Sequence, residues 1–322
     1  GIRKTYPHHQ FILVATASTQ PFGDLLKIFN QIIVLDDSRT LKLITSSIAA
    51  LWKTRKTQVV INLEFRSRLS FIFAKLIRSQ ELVSFLGSFN LWAREFMTIA
   101  LPFDQNKNHS SSYDQLAFAF KTQPSAQSHY RSHLMAQLPA NHKIPIGSDH
   151  TSQNTQFECI GIGHGCSDLS FERMLTAIQW NKIFLKLFSS ESAVQVSLFG
   201  TEFDRHKAEE IIAKLKMTFP NWYFLNLCGE LSLASSASLM ALQDRFFSID
   251  SSLVHLARLL GVKTYSYWGP TSPDIMLRPS EGLEEYRHYS KTPCSPCVHI
   301  AQTPPCGGKN ICIQELFVDA PT

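Results

Sequence analysis

Arg245–Gly269 reads RFFSIDSSLVHLARLLGVKTYSYWG, and its reading decides the fold. RFFSID is a short apolar run of the kind that forms a buried strand, and SLVHLARLLG has apolar residues at helical spacing. KTYSYWG is a second strand. Strand, helix and strand in direct succession make a parallel βαβ unit. Asp250, Ser251 and Ser252 fall at the first junction, on the helix N-terminus. There the leading backbone N–H groups lack intrahelical partners and the macrodipole favours an anion. Such a turn is a ready phosphate site. Asp and Ser are also ordinary N-caps, so capping alone accounts for them equally well. His255, in the first turn, is either a core histidine or a ligand.

The alternation extends outward in both directions. FILVAT (Phe11–Thr16), QIIVLD (Gln31–Asp36) and QVVINLEF (Gln58–Phe65) read as strands. Helical stretches follow the last two, over Thr40–Lys53 and in RLSFIFAKLI. Residues 105–156 are rich in Ser, Asn, Gln and His, with one helix expected over Tyr113–Phe120 and a domain boundary near Ile144–Gln156. Beyond it, FECIGIG and VQVSLFG read as strands, Ala177–Phe188, Asp204–Lys216 and LASSASLMAL as helices. Two tandem units are expected, 1–150 and 151–322, each α/β and Rossmann-like. Ligands of such sheets bind at the carboxyl ends of the strands.

Of 322 residues, 44% are hydrophobic and 18% charged, with a net charge of +5. Lys and Arg are scattered, so a nucleic-acid partner is not expected. The excess of base suits an anionic small molecule or an anionic membrane surface. No apolar run approaches the roughly 20 residues that span a bilayer, and GIRKTYPHHQ does not read as a signal peptide. A cytoplasmic protein is the simplest reading.

DSSLVHLARLLGVKTYSYWGPTSPD resembles a stretch of glycosyltransferase family 9, the ADP-heptose:lipopolysaccharide heptosyltransferases. VQVSLFGTEFD is similar to the family's strand and Gly-x-x-x-Asp turn, NLCGELSL to its Leu-x-Gly-x-x-Ser-Leu segment, and CSPCVHIAQTPPCGGKNIC to the cysteine tail of some members. RKTYPHHQFILVAT, IIVLDD and VVINLEFRSRLS also fit in order. The resemblance implies a GT-B fold, two Rossmann-like domains with parallel sheets facing a cleft. It implies transfer of a sugar, ADP-heptose being the model donor, to a saccharide or lipid-linked acceptor at the inner membrane face, with no cofactor required for catalysis. By position, Asp204 would meet the nucleotide ribose, and Leu231 and Ser232 would lie against the adenine. Asp250 would contact the sugar, while Ser251, Ser252 and the helix amides cradle the diphosphate beside His255 and Thr271. An N-cap at Asp204 and plain packing at Leu231 are the structural alternatives. At the end of the third strand, Arg66 and Arg68 would meet a phosphorylated acceptor, or else are solvated at a helix start.

Three departures stand out. Ser252 replaces a usual Gly. Ile178 fills a position that is usually basic, two before the helix-opening Trp180; Arg173, upstream, is a substitute for that charge or a solvated side chain. The family's general base sits in a Gly-Asp loop after a first strand, and Gly1–Thr16 matches the end of the first helix and the second strand. Gly23-Asp24 in PFGDLL is a decoy, and the base is expected upstream of Gly1. A non-catalytic nucleotide-sugar-binding or scaffolding relative is the rival reading.

Cys294, Cys297, Cys306 and Cys312 form C-x2-C-x8-C-x5-C. Four thiolates suit structural zinc or an iron–sulfur cluster; two disulfides or free thiols are the alternatives. Cys159, Cys166 and Cys228 read as small buried residues, and His164 in GIGHGCSD as a loop histidine.

Overall fold

The computed structural model describes residues 1–139, 157–166, 170–189, 193–280, 282–298, 301 and 303–317. The chain divides into two compact units, Gly1–Ala126 with Asp274–Arg278, and Gln127–Pro273 with Pro279–Thr322. The boundary expected near Ile144–Gln156 lies outside the described residues. The fold is α/β, with every strand pairing parallel.

The first unit runs α1 (Ile2–Thr5), β1 (Ile12–Thr16), α2 (Gln20–Leu26), β2 (Gln31–Leu35), α3 (Thr40–Thr54), β3 (Val59–Asn62), α4 (Arg68–Leu76), β4 (Glu81–Leu86), β5 (Ile99–Pro102) and α5 (His109–Ala119). Its strands form two sheets, β1-β2 and β3-β4-β5. Phe65, Phe71, Val83, Phe85, Leu101 and Phe103 build the core between β4, α4 and the loops. Asn90 is buried there because its side chain closes the loop. Its Oδ1 accepts from Gly87 N at 2.8 Å, and its Nδ2 donates to Phe65 O at 2.8 Å and Phe85 O at 3.0 Å. Gly23 lies inside α2, and a Cβ there would stand 2.5 Å from Leu13 Cδ2. The glycine serves close helix–strand packing, and Asp24 is an exposed helix residue.

The second unit runs α6 (Gln127–Met135), β6 (Glu158–Gly163), α7 (Ala177–Leu187), β7 (Val194–Phe199), α8 (Arg205–Thr218), β8 (Tyr223–Asn226), α9 (Leu233–Met240), β9 (Arg245–Ile249), α10 (Ser252–Leu260), β10 (Lys263–Trp268), β11 (Glu285–Tyr289) and α12 (Ile311–Glu315); the short α11 (Pro273–Met276), which falls between β10 and β11 in sequence, belongs for the most part to the first unit. The sheet order is β11-β10-β9-β6-β7-β8. Ile160, Ile162, Val194, Val196, Leu198, Phe247 and Ile249 are buried along its central strands, with Trp180 and Phe184 of α7 packed on them. Each fully buried large apolar side chain contributes roughly 2 kcal/mol. α7 starts where Thr176 and Gln179 form a capping box, and α10 stops at Gly261, whose φ of 85° is left-handed. α6 packs along α10: Gln127 Nε2 donates to Arg258 O at 3.2 Å and Arg131 Nε to Leu259 O at 3.3 Å.

Candidate functional site

Along the second sheet, β6 leads to β7 and β8 on one side, while β9, β10 and β11 lie on the other. The strand order therefore reverses between β6 and β9, and the crevice beyond their carboxyl ends is where open α/β sheets bind ligands. Gly163 ends β6. A Cβ on it would stand 2.9 Å from Ser248 Oγ and 3.0 Å from Leu253 Cβ, so glycine is what lets α10 come this close.

Asp250, Ser251 and Ser252 follow β9 into α10. Ser251 is the N-cap, but its hydroxyl makes no cap hydrogen bond; it lies 3.4 Å from Ser248 Oγ, which in turn donates to Gly163 O at 3.0 Å. The first-turn amides of α10 thus carry no side-chain cap, and Ser252 is exposed beside them. Asp250 points inward. Its side chain is 3% exposed and its Oδ2 lies 3.5 Å from Arg173 Nη1, whose side chain is 13% exposed. The same Nη1 donates to Asp250 O at 3.0 Å, and Arg173 Nε donates to Ser170 O at 3.2 Å. The solvated reading of Arg173 is therefore corrected: the short 3₁₀ turn Phe171–Arg173 folds it against the head of α10. Ile178, where a basic residue was looked for, is exposed on the first turn of α7. The His255 ring reaches solvent, yet the protein massed round it lowers its pKa, with Asp250 pulling it up and Arg258 down.

Asp204 stands at the tip of β7. Its Oδ2 accepts from Thr201 N at 2.7 Å and Thr201 Oγ1 at 2.8 Å, closing the turn before α8. Its other oxygen occupies a hollow left by glycine: a Cβ on Gly165 would stand 2.1 Å from Oδ1. Asp204 O takes His164 Nε2 at 3.1 Å. His164 lies in the loop after β6, as expected, and is fully buried there; burial lowers its pKa. Sequence reasoning missed this cradle; the signal was the Gly-His-Gly spacing at the end of β6. Ser232 is the N-cap of α9, accepting from Ser235 N at 3.1 Å, and Leu231 beside it is half-buried.

Thr271 follows β10 and is buried, its hydroxyl without a hydrogen-bond partner among the described residues. The tail straps this loop. Cys297 N and Val298 N donate to Pro270 O at 2.9 and 3.0 Å, and Ser295 Oγ donates to Gly269 O. Cys294, Cys297, Cys306 and Cys312 are free thiols, and among the described residues no group of three or more His, Cys, Asp or Glu is arranged to hold a metal ion. Cys312 sits in the core beneath Gly269, and burial pushes its thiol up to about 11. Cys306 goes the other way. Burial opposes it, but the backbone N–H groups of Asn310, Ile311, Gly308 and Lys309 converge on its sulfur and lower its pKa.

The carboxyl ends of β7, β8, β9 and β10 thus bring Asp204, Leu231, Ser232, Asp250, Ser251, Ser252, His255 and Thr271 to one edge of one sheet. A family model described as glycosyltransferase family 9 (heptosyltransferase) matches residues 118–306. The chain belongs to glycosyltransferase family 9. Lipopolysaccharide heptosyltransferase 2 of Escherichia coli K12 is 34% identical over 85 residues, 26% of this chain and 24% of that protein. Its Salmonella typhimurium counterpart is 36% identical over 81 residues, 25% and 23% of the two chains. The matched stretch thus spans about a quarter of these relatives' length. The structure of E. coli ADP-heptose lipopolysaccharide heptosyltransferase II superposes with a TM-score of 0.61 at 17% identity, over 98% of this chain and 91% of that one. E. coli heptosyltransferase WaaC with ADP gives 0.65 at 15% identity, over 88% and 86%. These likenesses show the GT-B fold with its two Rossmann-like domains.

In the first unit of this family 9 chain, Arg66 and Arg68 follow β3 and open α4. The Arg66 guanidinium lies 4.3 Å from the Phe89 ring centroid and that of Arg68 5.4 Å from Trp92. Asn62 fixes the turn: its Oδ1 accepts from Ser70 Oγ at 2.5 Å and Glu64 N at 3.2 Å.

Proposed function

We propose that this chain transfers a sugar, a heptose on the model of its relatives, from a nucleotide-diphosphate donor to a saccharide or lipopolysaccharide-type acceptor. The observation that carries the reading is the head of α10, with uncapped amides, two serine hydroxyls and a half-buried arginine at the switch point of the sheet. A diphosphate seated there accepts from the amides of Ser252 and Leu253 and from Ser251 and Ser252, and the helix dipole stabilises it. Arg173 supplies the cation that Ile178 does not. Its forked guanidinium suits phosphate oxygens. Asp204 keeps Oδ1 for the ribose hydroxyls while Oδ2 holds Thr201. Leu231 and Ser232 border the adenine, and Asp250, His255 and Thr271 the sugar and its phosphates.

In the reaction, the bond from the anomeric carbon to the diphosphate oxygen breaks, and the acceptor oxygen bonds that carbon. The nucleoside diphosphate leaves with the electron pair, and the acceptor proton passes to a general base. Stabilising the departing diphosphate is the part this unit supplies. On the acceptor side, stacking leaves the edges of Arg66 and Arg68 free for a phosphorylated saccharide. The reading places the protein in the cytoplasm, peripheral to the inner membrane.

The rival, a binding relative without turnover, is favoured by one observation: the Asp250 carboxylate is already engaged by Arg173. Calorimetric titration with ADP, and release of ADP from ADP-heptose with an acceptor, test both. Binding that Asp204→Ala and Arg173→Ala weaken tenfold or more supports the site. Binding without ADP release supports the rival. No binding by ADP or other nucleotides ends the donor-site reading.

A further inference from the structure

Phe203 is the most exposed large apolar side chain among the described residues, at 98%, and it stands in the turn between β7 and α8. The turn puts it there. Glu202–Asp204 is one 3₁₀ turn, in which successive side chains diverge by about 120°. Asp204 takes the direction of β6, with Oδ1 in the hollow at Gly165. Glu202 takes the direction of β8, lying against Gly229, where a Cβ would collide with it. The third direction is left to Phe203, and it leads into solvent.

The base that carries the ring is fixed. Asp204 closes the turn on Thr201, and Gly229 N donates to Gly200 O at 3.1 Å, tying the turns after β7 and β8 together. Gly229 has a left-handed φ of 76°. Arg205 spans the same two turns: Nε donates to Glu202 Oε2 at 3.4 Å, and Nη2 to Cys228 O at 2.7 Å and to Glu230. A ring on so rigid a mount orders little further when a ligand covers it, which favours binding. Single exposed apolar side chains are common on protein surfaces. This one is almost wholly uncovered, on a braced turn, one residue from the proposed ribose ligand.

Position identifies the ligand group. On the donor reading, the diphosphate lies at the head of α10, after β9, and the ribose at Asp204, after β7. The sheet order β9-β6-β7-β8 sets these in line across the strand tips. A nucleobase is bonded to the ribose on the side away from the diphosphate, so it continues the line past Asp204 toward β8. There half-buried Leu231 follows β8, and Phe203 rises from the neighbouring turn. A base is a flat plate with a π-face, and aromatic side chains stack on it.

We propose that Phe203 clamps the nucleobase of the donor, its ring stacking on one face of the base while Leu231 packs against the other. The proposal rests on the donor reading above. It is tested by calorimetric titration of the full chain with ADP. Phe203→Ala should weaken ADP about tenfold and leave the melting temperature unchanged, since so exposed a side chain carries no packing. Phe203→Trp should bind ADP at least as tightly as the wild type, and ADP should quench the fluorescence that the added indole contributes. Wild-type binding of ADP that Phe203→Ala alters by less than twofold overturns this proposal and leaves the donor site standing. So does an indole in Phe203→Trp whose emission ADP does not change. A wild-type chain that binds no ADP overturns the donor reading itself, and this proposal with it.

Discussion

Arg173→Ala separates a structural pair from a binding residue. In the folded chain Arg173 is nearly enclosed, and it spans three acceptors: Asp250 Oδ2 at 3.5 Å, Asp250 O at 3.0 Å and Ser170 O at 3.2 Å. Removing it leaves the Asp250 carboxylate, 3% exposed, without its cation. Breaking a buried pair from one side costs about 3–5 kcal/mol. The 3.5 Å charge contact is long and the arginine retains some exposure, so the low end applies, about 3 kcal/mol. Asp250→Asn should cost less, about 1 kcal/mol, because the two carbonyl acceptors survive and no unpaired carboxylate remains. The assay is thermal unfolding followed by Trp fluorescence in a Trp52→Phe, Trp92→Phe background. The remaining tryptophans, Trp180, Trp222 and Trp268, all belong to the second unit. For a domain of this size about 3 kcal/mol lowers the melting temperature by roughly 6–12 °C. The reasoning is refuted if Arg173→Ala shifts the midpoint by less than Asp250→Asn does.

Three more outcomes follow from the geometry. Gly165→Ala drives a methyl into Asp204 Oδ1, and the loss should be about 1–3 kcal/mol with weaker ADP binding; unchanged melting and titration would contradict the cradle. Cys306 should react first with iodoacetamide near neutral pH, its lowered pKa raising the thiolate fraction, while Cys228, pushed up to about 12, should stay inert; peptide mass spectrometry gives the order. Burial lowers the pKa of His164 below the unfolded value of about 6.5, so its stabilising contribution is complete above that pH and is lost as pH falls through the window below it. Urea midpoints at neutral and mildly acid pH should therefore diverge less in His164→Gln, and equal divergence would remove His164 as a cause.

The strands β1, β2, β6, β7, β9 and β10 were legible because apolar runs closed on both sides by helix-length segments leave few other readings. β4 and β5 were not singled out, because Ser84 and the short IALP give weak alternation. β11 escaped because Glu285, Arg287 and His288 put polar side chains into the edge strand. The residues gathered at the strand tips could be listed from the resemblance, but not their partners. Arg173 looked solvated because its acceptors are mostly backbone carbonyls, and Asp250 lies far along the chain. Asp204 showed its acid in the sequence, whereas the glycine hollow that houses it needed β6 and β7 side by side.

The strap on the Pro270 loop has a consequence for how the protein is made. Chains emerge from the ribosome at roughly 5–20 residues per second, and early segments begin to fold first. β6 to β10 are complete by Trp268, yet the carbonyls of Gly269 and Pro270 wait for Ser295, Cys297 and Val298 to reach them. Nascent chains should thus possess most of the sheet before they possess the finished Pro270 loop of the proposed donor site. On the proposed donor-site reading, ADP binding arrives near the end of synthesis, and a chain cut short before Ser295, which also lacks Cys312 and Ile313 of the core, should not be stabilised by ADP.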